Sequence, residues 1–207
     1  MLKKDKTRFQ QLVSTDEDTR ISAALELNGL PHGYFEDHPV SSKFIREQLT
    51  NFLMAYRETK NGLVKEWVVQ GIAGGQILNQ EIKVIIEKEI NPSCIFLPTL
   101  LYFVWLHALE FQKSKEKIKG LYDHKDFNVR WRVALVLEKM NLNYETDSEV
   151  IRNLLLDEYP TTRIYAVLAL KKLGRVETIV ANVLREVIRI DDGAARQYAQ
   201  QLIVSYG

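Results

Sequence analysis

The chain of 207 residues holds a single cysteine, Cys94. That excludes an intramolecular disulfide and any cysteine-based zinc site, and it fits a reduced, cytoplasmic compartment. Five prolines and ten glycines are too few for a collagen-like or low-complexity chain. No sign of charge dominates: 28 basic against 27 acidic residues leave a net charge of +1. A broadly cationic binder of nucleic acid or membrane is thereby disfavoured. The one apolar run, CIFLPTLLYFVWLHAL over 94–109, is interrupted by Pro98, Thr99 and His107. A membrane span needs about 20 apolar residues, so the run reads as a buried helix. The basic start, Met1 to Arg8, is followed by no apolar stretch, which argues against a secretory signal.

What remains is ordinary globular composition, 46 % hydrophobic and 27 % charged. A chain of this length buries roughly 70 % of its unfolded surface and needs no staple. Strand patterns are nearly absent; apolar residues recur three and four apart. Self-similarity organises them. Arg130, Arg163 and Arg196 stand 33 residues apart. Val133, Ala134, Leu137 and Met140 follow the first, Ala166, Val167, Leu170 and Leu173 the second, and Ala199, Ile203 and Tyr206 the third. Those offsets mark one helix face. In the same frame Leu97, Lys65 and Arg20 anchor three earlier copies. The interval from Arg20 to Lys65 carries a 12-residue surplus, Gly29 to Val40, read as a loop insertion.

Four residues before most anchors stands a residue able to cap a helix: Asp16, Asn61, Ser93, Asp126 and Asp192. In the fifth copy Tyr159 holds that place, with Pro160 at the first helical position. An anchor arginine can pair with the cap carboxylate one turn away or reach the next repeat. With Lys65 and Leu97 in the middle copies, such a ladder is expected to break there. First helices are expected near 3–13, 42–59, 79–90, 114–122, 147–157 and 176–190, with Asn79 and Asp147 as caps and Asn91-Pro92 and Gly174 as stops. A single helical hairpin cannot bury its apolar face, so the reading is one all-α domain over 1–207: about six stacked hairpins forming an α-solenoid. The three stretches 1–60, 61–128 and 129–207 are each charge-balanced, without the asymmetry of a tail or linker.

The segments DFNVRWRVALVLEKM, TTRIYAVLALKKLG, TRISAALELNGL and AARQYAQQLIVSYG resemble the second helix of the HEAT-like repeat family, in its short, PBS-lyase-type branch. The resemblance implies an armadillo-type superhelix, and for function it implies that such arrays usually bind other macromolecules.

Candidate sites are few. His32, Glu36, Asp37 and His38 crowd the insertion in no established metal spacing, and Tyr34 and Phe35 there could meet a partner. His107 falls at a core offset. Cys94 heads the apolar helix with no histidine near it in sequence. Gly71, Gly74 and Gly75 lack the Lys and Ser/Thr of a phosphate loop and read as close helix packing. No metal, cofactor or catalytic residue is assigned, and an enzyme is the weaker expectation.

One stripe stands out. Two residues after each anchor come Ser22, Trp67, Thr99, Arg132, Tyr165 and Tyr198, and five after come Leu25, Gln70, Tyr102, Leu135, Leu168 and Gln201. Lys139 and Lys172 continue it. The offset faces away from the expected core, and in a solenoid second helices line the concave side. Trp, Tyr and Arg are the types enriched in binding hot spots. Either the stripe is a binding surface, centred on Trp67, Gln70, Tyr102, Arg132, Lys139, Tyr165, Lys172 and Tyr198, or its aromatics pack between adjacent helices. The expected function is a scaffold-like, monomeric module that binds a protein, of which a toxin-neutralising immunity protein is one subtype. Alternatives are a DNA binder like the alkylpurine glycosylases built on such repeats, and a tetrapyrrole lyase or chaperone.

Overall fold

The computed structural model describes residues 3–28, 42–174, 178–191 and 193–204. Among them the regular structure is helical, and no strand occurs. In chain order the helices are α1 (Lys3–Leu12), α2 (Glu17–Asn28), α3 (Ser42–Glu58), α4 (Gly62–Gly74), α5 (Gln80–Glu89) and α6 (Leu97–Leu106). A short 3-10 turn (Gln112–Ser114) leads into α7 (Lys115–Lys119). There follow α8 (Phe127–Lys139), α9 (Tyr144–Leu155), α10 (Pro160–Lys172), α11 (Thr178–Ile190) and α12 (Ala194–Val204). These helices fall in chain order at the positions expected for first and second helices. The insertion, with His32, Tyr34, Phe35, Glu36, Asp37 and His38, lies outside the described residues.

The helix starts follow from side chains that accept the orphan N–H groups of the first turn. Asp16 Oδ2 accepts from the Thr19 amide at 2.8 Å. Asn61 Oδ1 accepts from Leu63 and Val64 at 2.9 and 3.2 Å. Asn79 accepts from Ile82, and Asp126 from Asn128, each at 2.8 Å. Tyr159 precedes α10 without a side-chain cap, and Pro160 takes the first helical position. Gly174, at φ +72°, ends α10 in the left-handed region that glycine enters without steric cost.

Two expected caps sit elsewhere. Ser93 lies in the turn before α6, its amide donating to Asn91 Oδ1 at 3.0 Å, and α6 starts only at Leu97. Cys94 therefore precedes the helix. Asp147 is inside α9 and fully buried; Asn143 is the cap, accepting from the Glu145 amide at 2.8 Å. Asp147 reaches back one turn to accept from the Asn143 amide at 2.7 Å. Asp192 is outside the described residues, and at that helix start Asp191 Oδ1 accepts from the Gly193 and Arg196 amides at 2.8 and 3.1 Å.

The described residues form two compact units. In the first, Met1–Ile86 with Cys94–Leu106, α1 packs on α2, α3 on α4, and the second helices α2, α4 and α6 touch in succession. Its core includes Phe9, Leu27, Phe52, Val68, Leu100 and Phe103, all at or near zero exposure. Gly71 and Gly75 let the helices approach. A Cβ on Gly71 would stand 2.9 Å from Phe52 and 3.0 Å from Phe9, and one on Gly75 would stand 2.9 Å from Ile45. The apolar run supplies the buried Leu97, Leu100, Leu101 and Val104 of α6, and no described helix is long and apolar enough to cross a membrane.

In the second unit, Glu87–Ser93 with His107–Gly207, α7 packs on α8, α9 on α10 and α11 on α12. The second helices α8, α10 and α12 again touch in succession. Val133, Leu137, Met140, Ile151, Ala166, Val167 and Leu184 are its fully buried centre. His107 is half-buried rather than in the core. The chain leaves α6 at Leu106, so His107 falls outside the helical frame that would have turned it inward. Burial lowers its pKa from the ordinary value.

Candidate functional site

The anchor arginines are fastening groups. Arg20, almost fully buried, donates from Nε to Glu17 at 2.7 Å and from Nη1 to Glu58, the last residue of α3, at 3.0 Å. Arg130 donates from Nε to Asp157 at 2.6 Å, from Nη2 to Glu158 at 2.9 Å and from Nη1 to the His124 carbonyl at 2.9 Å. Its guanidinium lies 5.4 Å from the centre of the Tyr159 ring. Arg163 donates to the Asp157 carbonyl and pairs with Glu186 of α11 at 3.1 Å. Each of the three thus ties a second helix to the hairpin that follows it. At Lys65 the ammonium instead lies over the Tyr56 ring, 5.1 Å from its centre, and Leu97 is an apolar core residue. Arg196 is exposed. Charge-assisted bonds from a rigid fork have a strength and direction that suit this fastening.

The stripe two and five residues past the anchors divides. In the first unit Ser22 and Leu25 of α2 are exposed, while the positions on α4 and α6 are buried or half-buried. Trp67 is 7 % exposed and Thr99 9 %, against the expectation that this offset points away from the core. The reason is the position of α4, which packs against α1, α2, α3 and α6 at once and so has little face left for solvent. Thr99 donates to Glu66 at 3.0 Å, and Gln70 approaches Thr99 at 3.5 Å, both across α4 and α6. Tyr102 is half-buried, stacked on Trp105 with ring centres 5.7 Å apart.

In the second unit the stripe is more open. Arg132 and Tyr165 are half-buried, and Tyr198 is 40 % exposed. Trp131 joins the first two: its ring stacks on Tyr165 of α10 at 5.8 Å, and the Arg132 guanidinium lies 4.2 Å from its centre. Such a stack holds an arginine in place at small entropic cost. Two turns along, Lys139 and Lys172 are exposed. Lys172 Nζ donates to the carbonyls of Glu138 and Met140 at 3.0 and 2.9 Å. It thereby caps the C-terminal end of α8, where the helix dipole favours a cation.

Several contributors fall outside the repeat offsets. Trp131 lies one residue past its anchor, where the frame assigns no role; its aromatic character beside Arg132 was the only signal. Phe127, the first residue of α8, and Tyr159, which precedes α10, stack at 4.2 Å, each 38 % exposed. Asp147 accepts from Lys115 at 2.8 Å and Lys119 at 2.9 Å, and these bonds hold its carboxyl down to a pKa of about 2 against the cost of burial. This buried group joins α9 to α7 and faces no cleft.

In the first unit, Leu53, Tyr56, Val69, Ile72, Ile82, Ile85, Ile86 and Phe103 surround an apolar crevice. It leaves about 10 Å³ to a water-sized sphere, far less than the several hundred Å³ of a small-molecule site. Among the described residues no group of three His, Cys, Asp or Glu side chains could hold a metal ion. No protein-family model, curated protein or solved structure matches the chain.

Proposed function

We propose that the protein is a non-enzymatic binding module in which HEAT-like hairpins present their second helices to a protein partner. The repeat spacing, the succession of touching second helices within each unit, and the arginines that reach the next hairpin support the HEAT-like part of this reading. The binding part is carried by one observation. Arg132, Tyr165 and Tyr198 recur at one offset on three adjoining helices and keep solvent exposure, whereas at the same offset in the first unit Trp67 and Thr99 are covered and the exposed residue, Ser22, is small and polar. The face proposed is therefore that of α8, α10 and α12, narrower than the whole stripe.

The test is affinity capture from native lysate with the wild-type chain and with Tyr165→Ala and Tyr198→Ala, read by quantitative mass spectrometry. Truncating a hot spot costs about 2 kcal/mol or more, roughly a thirtyfold loss of affinity. A protein retained by the wild type should disappear from both variants. Retention of the same proteins at the same level by all three chains would contradict the reading.

A further inference from the structure

The net charge of +1 conceals an uneven distribution. In the second unit α8, α10 and α12 contain seven basic residues, and Glu138 is their one acidic residue. The second helices of the first unit have the opposite balance: Arg20 and Lys65 against Glu17, Asp18, Glu26 and Glu66. The first helix α9 is acidic as well, with Glu145, Asp147 and Glu149 against Arg152. The basic excess thus coincides with the aromatic face.

Not every cation there can meet a ligand. Arg130 and Arg163 are committed to Asp157, Glu158 and Glu186. The face itself holds Arg132, Lys139 and Lys172; Lys139 lies 3.5 Å from Glu138 with its side chain half exposed, so a ligand carboxylate would share it with that residue. Arg132 and Lys139 are seven residues apart, two helical turns, so they share a side of α8 about 10 Å apart. Lys172 lies at the same offset on α10 as Lys139 on α8, and two carbonyls at that end of α8 occupy only two of its three N–H donors. On the same side of α10 as Lys172, at steps of four and three residues, stand the half-buried Leu168 and Tyr165.

Resting on the protein-binding reading, we infer that α8, α10 and α12 take an acidic segment of the partner, with carboxylates flanking an apolar residue. In an extended chain, side chains on one face recur every second residue, so carboxylates four residues apart, about 13 Å, bracket an apolar residue on the same face and reach the cations through their long side chains. The carboxylates would meet Arg132 at one end and Lys139 with Lys172 at the other, and the apolar residue would cover Tyr165 and Leu168. A nucleic acid suits the face less well. Its phosphates form a continuous track, and Glu158 and Glu186, with side chains 73 % and 48 % exposed, stand beside the anchor arginines where that track would need cations.

The experiment selects from a library of random linear peptides on the full chain. Enriched peptides should carry Asp or Glu on both sides of an apolar residue. Their affinity should fall about tenfold or more in the double variant Arg132→Glu/Lys139→Glu. Because Arg132 is half-buried, the exposed single variant Lys139→Glu is measured beside it and should lose a smaller factor with an unchanged melting temperature. Enrichment of peptides without acidic residues, or acidic peptides that bind the variants as well as the wild type, would overturn the inference and leave protein binding standing. Failure to enrich any peptide, with a mixed-sequence single-stranded oligonucleotide retained instead, would overturn the protein-binding reading too.

Discussion

Trp67 and Tyr198 share a repeat offset and have opposite surroundings, at 7 % and 40 % exposure. Burial sets what each contributes. Truncating Trp67 to Ala should cost about 3 kcal/mol or more of folding stability, as for other buried aromatics. Tyr198→Ala should cost well under 1 kcal/mol, as an exposed substitution does. Denaturant titration of both variants decides it, and similar losses would mean that the offset plays one role throughout. Asp147 makes a second case. Its folded pKa of about 2 lies below the unfolded value near 3.8. Its contribution is therefore complete above about pH 5 and is lost progressively as pH falls through 2. The linkage is worth on the order of 2 kcal/mol. An acid titration of stability should show this loss in the wild type, and Asp147→Asn should abolish that part of the pH dependence while lowering stability at pH 7. At this scale legibility was uneven. Asp16, Asn61, Asn79 and Asp126 were readable because a cap bonds to amides two or three residues away. Asp147 was not, because what distinguishes it from a cap is Lys115 and Lys119, which come from another helix.

Among the elements, the second helices show how the repeat works. Each turns small and branched residues toward its neighbours: Ala23, Ala24 and Leu27 in α2, Val133, Ala134 and Leu137 in α8, and Ala166, Val167 and Leu170 in α10 are all essentially unexposed. Helix order and most boundaries were legible for that reason, since a periodic apolar face reports its own helix. Which other faces become covered was not legible. That depends on how many helices surround an element, and α4 has four packed against it. Gly71 records the crowding. Gly71→Ala would place a methyl 2.9 Å from Phe52 and 3.0 Å from Phe9. Because these are ring atoms in a packed core, the expected effect is a loss of about 1–3 kcal/mol, the range for overpacking. A calorimetric melting temperature equal to or above that of the wild type would show that α1 and α3 can withdraw without cost.

For the molecule as a whole, balanced composition conceals an uneven distribution of charge. The charges sort by element, with carboxylates on α2 and α9 and cations on α8, α10 and α12. Much of this charge is internal. Arg20, Arg130 and Arg163 hold hairpins together, and Lys172 caps α8, so the proposed binding face rests on Arg132, Lys139 and the residues around the Trp131–Tyr165 stack. Hydrogen–deuterium exchange of the full chain, with and without the protein that it captures, tests this claim most directly. The partner should slow exchange in peptides from α8, α10 and α12 and leave α2 and α9 unchanged. Protection confined to α9 and α11, or to the unit of Met1–Ile86 and Cys94–Leu106, would contradict it.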